Sequence, residues 1–231
     1  MNYSLFVFLF IIINMHTPDL CLQNNSVSAA SSATNINSIG SEYFPINLKK
    51  KLIYKSSFGD LELKITDEKN IHQFSYESDK FKYRQKLFVN NKGLFVVETY
   101  QKIKLLLFIT KEGNYIYDKP LLRVPFPIEV GQEWSWNGIE FVNDESRSVK
   151  LKGKAAEFET VNTSAGKFEA LKVETTIETS SGSKNIMTEW YAKDIGLVKM
   201  HISIEGGGAL GFVRDVLGYK SIDFELKKIQ G

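Results

Sequence analysis

The chain has 231 residues and is nearly neutral, with 29 Lys and Arg against 27 Asp and Glu and a net charge of +2. Basic and acidic residues are interspersed, so there is no one-signed stripe for nucleic acid to bind. The 16 Phe, 10 Tyr and only 5 Pro suit β-structure and exclude disorder over most of the length, and a single cysteine excludes an internal disulfide.

Leu5 to Ile13 is an unbroken apolar run. It is too short to span a bilayer and suits the hydrophobic region of a signal peptide, although Met1 to Ser4 carry no Lys or Arg. Residues 1–21 read as a signal peptide and the Ser- and Asn-rich residues 22–42 as a flexible tether. Cys21 is the candidate lipidation site, where a bacterial lipoprotein carries its acyl groups, but Leu20 is not the small residue expected before it. Cleavage after Ala29, with Val27 and Ala29 at the small-residue positions, is the competing reading and gives a freely secreted protein. Both readings predict export to the periplasm, the outer membrane by an anchor, or the medium. The membrane is then a partner only through the N-terminal lipid.

From Tyr43 the chain reads almost entirely as strand. Phe44-Pro45-Ile46-Asn47-Leu48 opens the β region. Leu61, Leu63 and Ile65 alternate with Glu62 and Lys64; Phe74, Tyr76, Phe81 and Tyr83 continue the same face. Asn90 to Gly93 and Lys111 to Asn114 read as turns, and Leu94 to Val97 and Leu105 to Ile109 as strands covered on both faces. Val124 to Val142, VPFPIEVGQEWSWNGIEFV, repeats the Phe-Pro opening at Phe126-Pro127. Gly131 allows a bend there. Asn137-Gly138 predicts the tip of a type I′ hairpin, which would place Trp134, Trp136, Ile139 and Phe141 on one buried side. Further on, Val149 and Leu151, then Leu171, Val173, Thr175 and Ile177, then Val198, Met200 and Ile202, and finally Ile222, Phe224 and Leu226, all alternate with polar residues. Ser164 to Gly166, Ser180 to Ser183 and Asp194 to Gly196 turn the chain between them, and Asp215 to Leu217 allow a short helical turn. The prediction is an all-β domain over 43–231. It is an antiparallel meander of about ten to twelve strands, as an open barrel, half-barrel or sandwich. The repeated opening suggests two duplicated halves, 43–123 and 124–231.

The openings YFPINLKKKLIY and PFPIEVGQEWSW resemble the F-P-hydrophobic-x-V-G-x-x-W-x-aromatic start of uncharacterised exported β-rich proteins of bacteria. NTSAGKFEALKVET and TEWYAKDIGLVKM resemble their later strands. Some such families are similar to lipoprotein-carrier half-barrels, which hold acyl chains. The resemblance implies that fold and supplies no catalytic residues; Lys49 and Leu52 depart from its pattern in the first copy.

Little in the sequence points to chemistry. Gly206 to Gly211 satisfies G-x-G-x-x-G, but no room remains after it for a nucleotide fold. His72 and His201 lie in strand patterns, with no H-x-H or H-E-x-x-H, so no metal site is expected. No G-x-S-x-G exists for nucleophilic catalysis, and no cofactor motif survives. The carboxylates are dispersed, which leaves an enzyme as the weakest reading. The expected function is a non-catalytic binding module of the cell envelope for a lipid or other apolar ligand. The candidate ligand-binding residues are Phe74, Tyr76, Tyr83, Trp134, Trp136 and Met200. The alternative is a structural or assembly subunit that docks an envelope protein partner.

Overall fold

The structure, a computed structural model, describes residues 40–106, 109–206 and 221–231. The signal segment, Cys21, residues 22–39, the turn at 215–217 and all but the first residue of the glycine run lie outside it.

Alternating inward and outward side chains produce twelve antiparallel strands: β1 (Lys51–Ser56), β2 (Gly59–Glu68), β3 (Ile71–Glu77), β4 (Phe81–Asn90), β5 (Gly93–Leu106), β6 (Ile109–Pro125), β7 (Glu133–Val142), β8 (Glu145–Thr163), β9 (Gly166–Thr179), β10 (Ser183–Ala192), β11 (Gly196–Gly206) and β12 (Ser221–Gln230). Each strand pairs with its sequence neighbours, and β1 pairs with β12, so the meander closes on itself as a barrel. Closure leaves no free sheet edge. A 3-10 turn, Ser41–Tyr43, precedes the first strand. The two Phe-Pro segments precede β1 and β7, so each opens six strands. They also meet, with the Phe44 and Phe126 rings 5.9 Å apart.

The core is two clusters. One gathers Leu52, Tyr54, Leu61, Ile103, Phe224 and Leu226; the other gathers Phe44, Val96, Val124, Phe126, Trp136, Leu151 and Val173. The alternations read from Leu61, Val149 and Leu171 onward fall on the inward face as expected. So do the turns at Asn90, Ser164, Ser180 and Asp194. Gly131 has a φ of +86° and makes the bend before β7.

Two turn predictions are corrected. β7 runs straight through Asn137-Gly138, and the hairpin tip lies at Asn143-Asp144, whose φ values are +48° and +67°. Both residues tolerate the left-handed region, so the same type I′ chemistry operates six residues later. Trp136 therefore pairs with Leu151 and Trp134 with Gly153. Ile139 and Phe141 face outward, 42% and 47% exposed. Likewise β6 passes through Lys111 to Asn114, with Gly113 opposite Gln101.

Both misread glycines have another reason to be there. A Cβ on Gly138 would sit 2.2 Å from the Trp136 ring, and one on Gly113 2.9 Å from the Tyr115 hydroxyl. Gly153 is covered in the same way by Trp134, at 2.2 Å. At each of these three glycines the missing Cβ leaves room for an aromatic side chain.

Candidate functional site

The barrel encloses a cavity of about 240 Å³ to which every strand except β1 contributes. Phe44, Pro45, Ile46 and Leu48 line it at the end where the chain enters. Phe44 is fixed there against Tyr191, at 4.5 Å between ring centroids.

The wall has two arcs. Strands β11, β12, β2 and β3 contribute Leu197, Met200, Ile202, Ile222, Phe224, Leu63 and Phe74. Strands β5 to β10 contribute the polar groups Thr99, Gln101, Tyr115, Tyr117, Arg123, Glu140, Arg147, Thr179, Asn185 and Glu189, interleaved with the apolar Leu94, Val96, Leu121, Ile177 and Met187. Tyr76, Tyr83 and Gln85 lie between the arcs on one side and Tyr191 on the other.

The centre of the polar arc is a buried ion pair that crosses the lumen. Arg123 on β6 donates from Nη2 to Glu189 on β10 and from Nη1 to Thr175 Oγ1 on β9, the latter at 2.9 Å. The Tyr191 hydroxyl donates to the other Glu189 oxygen at 2.9 Å. Arg123, Thr175 and Glu189 are all under a tenth exposed. Burial, the largest single influence, would lower the Arg123 pKa, but the Glu189 carboxylate together with Tyr191 and Tyr83 outweighs it and holds the guanidinium above its ordinary value. Burial pushes the phenols of Tyr76, Tyr83 and Tyr191 up and takes Tyr117 to about 12. These groups stay neutral and act as hydrogen-bonding surface.

A second pair, Arg147 and Glu140, is looser. Its Nε and Oε1 are 3.4 Å apart, too poorly aligned for a hydrogen bond, so Arg147 Nε is enclosed without a partner. Arg147 is steadied instead by Nη1 donating to Ser181 Oγ at 3.2 Å. Burial raises the Glu140 pKa, and Arg147 offsets part of that rise. Asn185 Oδ1, on the same wall, is also enclosed without a hydrogen bond. The cavity thus presents one closed polar network and one with unused capacity for a bound group.

Among the described residues, the backbone ladder is shortest between β6 and β7. Only Ile116 with Phe141 and Tyr117 with Glu140 pair there, against ten pairs between β7 and β8. Side chains bridge the rest. Asp118 Oδ1 accepts the Ile139 N–H at 2.9 Å, and Trp136 Nε1 donates to the Pro120 carbonyl at 3.1 Å. Pro120 has no N–H to extend the ladder. Tyr117 meets the Trp136 ring edge-on at 5.8 Å, and the Lys119 ammonium lies 5.7 Å from its centre.

Of the candidate residues, Phe74, Tyr76, Tyr83 and Met200 are brought together on the cavity wall. Trp134 and Trp136 are not part of that lining: they sit on β7, over Gly153 and in the seam. Sequence reasoning missed Arg123, Glu140, Thr175 and Glu189. The signal was present as charged residues at inward strand positions: Arg123 shares a face with Leu121, Glu140 with Trp136 and Val142, Glu189 with Met187 and Tyr191. His72 and His201 were placed correctly within their strands, and each contacts a carboxylate, Asp67 at 2.6 Å and Asp223 at 2.7 Å.

The fold and site define a closed antiparallel barrel with an interior, mainly apolar cavity that also carries polar and charged groups. Over residues 139–203, from within β7 to within β11, the chain matches the model of the DUF3108-like family. No curated protein matches it. Among solved structures it is similar to the hypothetical lipoprotein YmcC from Escherichia coli K12, at 11% identity and a TM-score of 0.41, covering 86% of this chain and 98% of that one. It is also similar to a protein from Bacteroides fragilis described as exported, with a YmcC-like fold, at 15% identity and a TM-score of 0.40, covering 81% and 98%.

Proposed function

We propose that this is a non-catalytic, exported binding module whose barrel holds one small amphipathic ligand, of lipid-like chemistry, in the central cavity. The observation that carries the reading is the two-sided wall. Met200, Ile202, Phe224, Leu63 and Phe74 offer an apolar surface, and Arg123, Glu189, Arg147 and Asn185 offer polar groups facing it. Ligand sites combine a mostly apolar lining with a few fixed polar groups in this way. The volume of about 240 Å³ lies just below the common range of ~300–1,000 Å³, which suits one short chain with one head group. Export is supported by the apolar run at Leu5 to Ile13. The strand pattern suggested a lipid or other apolar ligand; the inward charges narrow this to one that carries a polar group. The test is to purify the exported protein, extract it with organic solvent and analyse the extract by mass spectrometry. An amphipathic molecule in stoichiometric amount is expected. An empty extract, together with no binding of added fatty acids or fatty alcohols, would refute the reading.

A further inference from the structure

The seam between β6 and β7 is the weakest part of the wall and the only part held chiefly by side chains among the described residues. Immediately inside it lie Tyr117, Leu121 and Glu140 of the cavity lining. Immediately outside it lie Ile116, Ile139 and Phe141, 48%, 42% and 47% exposed, with Ile116 and Phe141 opposite each other in the ladder. On β8, Lys150 lies diagonal to Ile139, opposite Asn137, and Lys152 two residues further along, opposite Ser135; both point outward and make no ion pair among the described residues. Lys119 stands on the other side, over Trp136.

An apolar trio with Lys119 and Lys150 near it and Lys152 beyond, its one nearby carboxylate, Asp118, engaged by the Ile139 N–H, lies over the shortest ladder of a ligand-bearing wall and fits one kind of partner. We propose that the outer face of the β6–β7 seam docks on an anionic lipid surface and that the ligand passes between that surface and the cavity through the seam. This rests on the reading of the cavity as an amphipath site. The apolar side chains would sit at the level of the acyl chains and the lysines at the head groups, each lysine contributing attraction that salt screens. Opening requires loss of two hydrogen bonds, Trp136 to Pro120 and Ile139 to Asp118, and of the two-pair ladder, far less than parting β7 from β8. Trp136 is the panel that moves: it fills the gap and packs against Gly138, where no Cβ obstructs it.

The test uses the full chain carrying Cys21→Ser, which removes the acylation candidate. It is loaded with an anthroyloxy fatty acid and mixed rapidly with vesicles of phosphatidylcholine and phosphatidylglycerol that contain a quencher. The transfer rate is expected to rise with vesicle concentration and to fall with added salt. In Ile116→Ser/Ile139→Ser/Phe141→Ser, transfer should slow about tenfold while the affinity for the probe in solution is unchanged. Lys150→Glu/Lys152→Glu should lose the dependence on phosphatidylglycerol. A rate indifferent to vesicle concentration, or unaltered in the triple variant, overturns the proposal. Flotation of unloaded protein with the same vesicles is read separately, so a protein that floats but takes up no probe defeats the cavity reading and spares the docking surface. A dimer that the triple variant dissolves, with no flotation, would assign the patch to a second copy and overturn the lipid surface.

Discussion

The apolar and polar arcs of the cavity wall belong to one continuous closed sheet, yet they are held in different ways. Leu63, Phe74, Ile202 and Phe224 require only that inward positions be apolar, and neighbouring core residues such as Leu61 and Leu226 support them. The polar arc requires Arg123, Thr175, Glu189 and Tyr191, from three strands, to satisfy one another across the lumen. A buried ion pair is seldom the most stable filling for such a space; apolar residues of equal volume are often as good or better. The difference teaches that the polar arc is costly to keep, which is what a site retained for binding looks like.

The largest expected effect is on that arc. Glu189→Ala strands Arg123 as an unpaired buried charge and should cost about 3–5 kcal/mol in urea unfolding. Arg123→Met/Glu189→Leu removes both charges and should stay near wild-type stability. A small loss in the single variant would break the comparison, because the pair would then be solvated. Trp136→Ala should cost about 3–4 kcal/mol, from the cavity left in the seam and the lost Pro120 hydrogen bond. Trp134→Ala should cost less, since that side chain is only half-buried.

Next comes alkaline pH. The fold favours the neutral phenol of Tyr117, with its pKa moved from 10.0 to about 12 by burial, while the unfolded chain ionises near 10. The contribution is therefore intact below pH 10 and is lost as pH climbs towards 12, on the order of 2 kcal/mol for this residue alone. Tyr76, Tyr83 and Tyr191 shift in the same direction, so unfolding should steepen above pH 10; a flat stability curve there would show these rings to be wet. Gly153→Ala pushes a methyl into the Trp134 ring and should cost about 1–3 kcal/mol. Ile139→Ser, on the exposed face, should change stability by less than ~0.5 kcal/mol, which separates its proposed docking role from folding.

Much of the apolar arc was legible in the sequence, because period-two alternation is local: Leu63, Phe74, Phe81, Met200 and Phe224 needed nothing beyond their neighbours. The polar arc was not, because its partners are distant in the chain, 52 residues from Arg123 to Thr175 and 66 to Glu189. The inward parity of Arg123 and Glu189 was visible, but not that they meet. The hairpin tip was misplaced for a related reason. Asn137-Gly138 carries the stronger local signal, but Gly138 is needed under the Trp136 indole, a packing requirement that no turn rule contains. Closure of the barrel depended on β1 finding β12, the longest separation in the fold.

The central claim is that the cavity takes a molecule with both a polar head and an apolar tail. The most direct measurement is displacement of a bound anthroyloxy fatty acid by three competitors: lauric acid, dodecane and butyrate. Lauric acid is expected to displace the probe at far lower concentration than either of the others, and the advantage over dodecane should vanish in Arg147→Met/Asn185→Leu, which removes the enclosed polar atoms that lack a hydrogen bond. Equal displacement by lauric acid and dodecane in the wild type would contradict the account, because the polar arc would then take no part in binding.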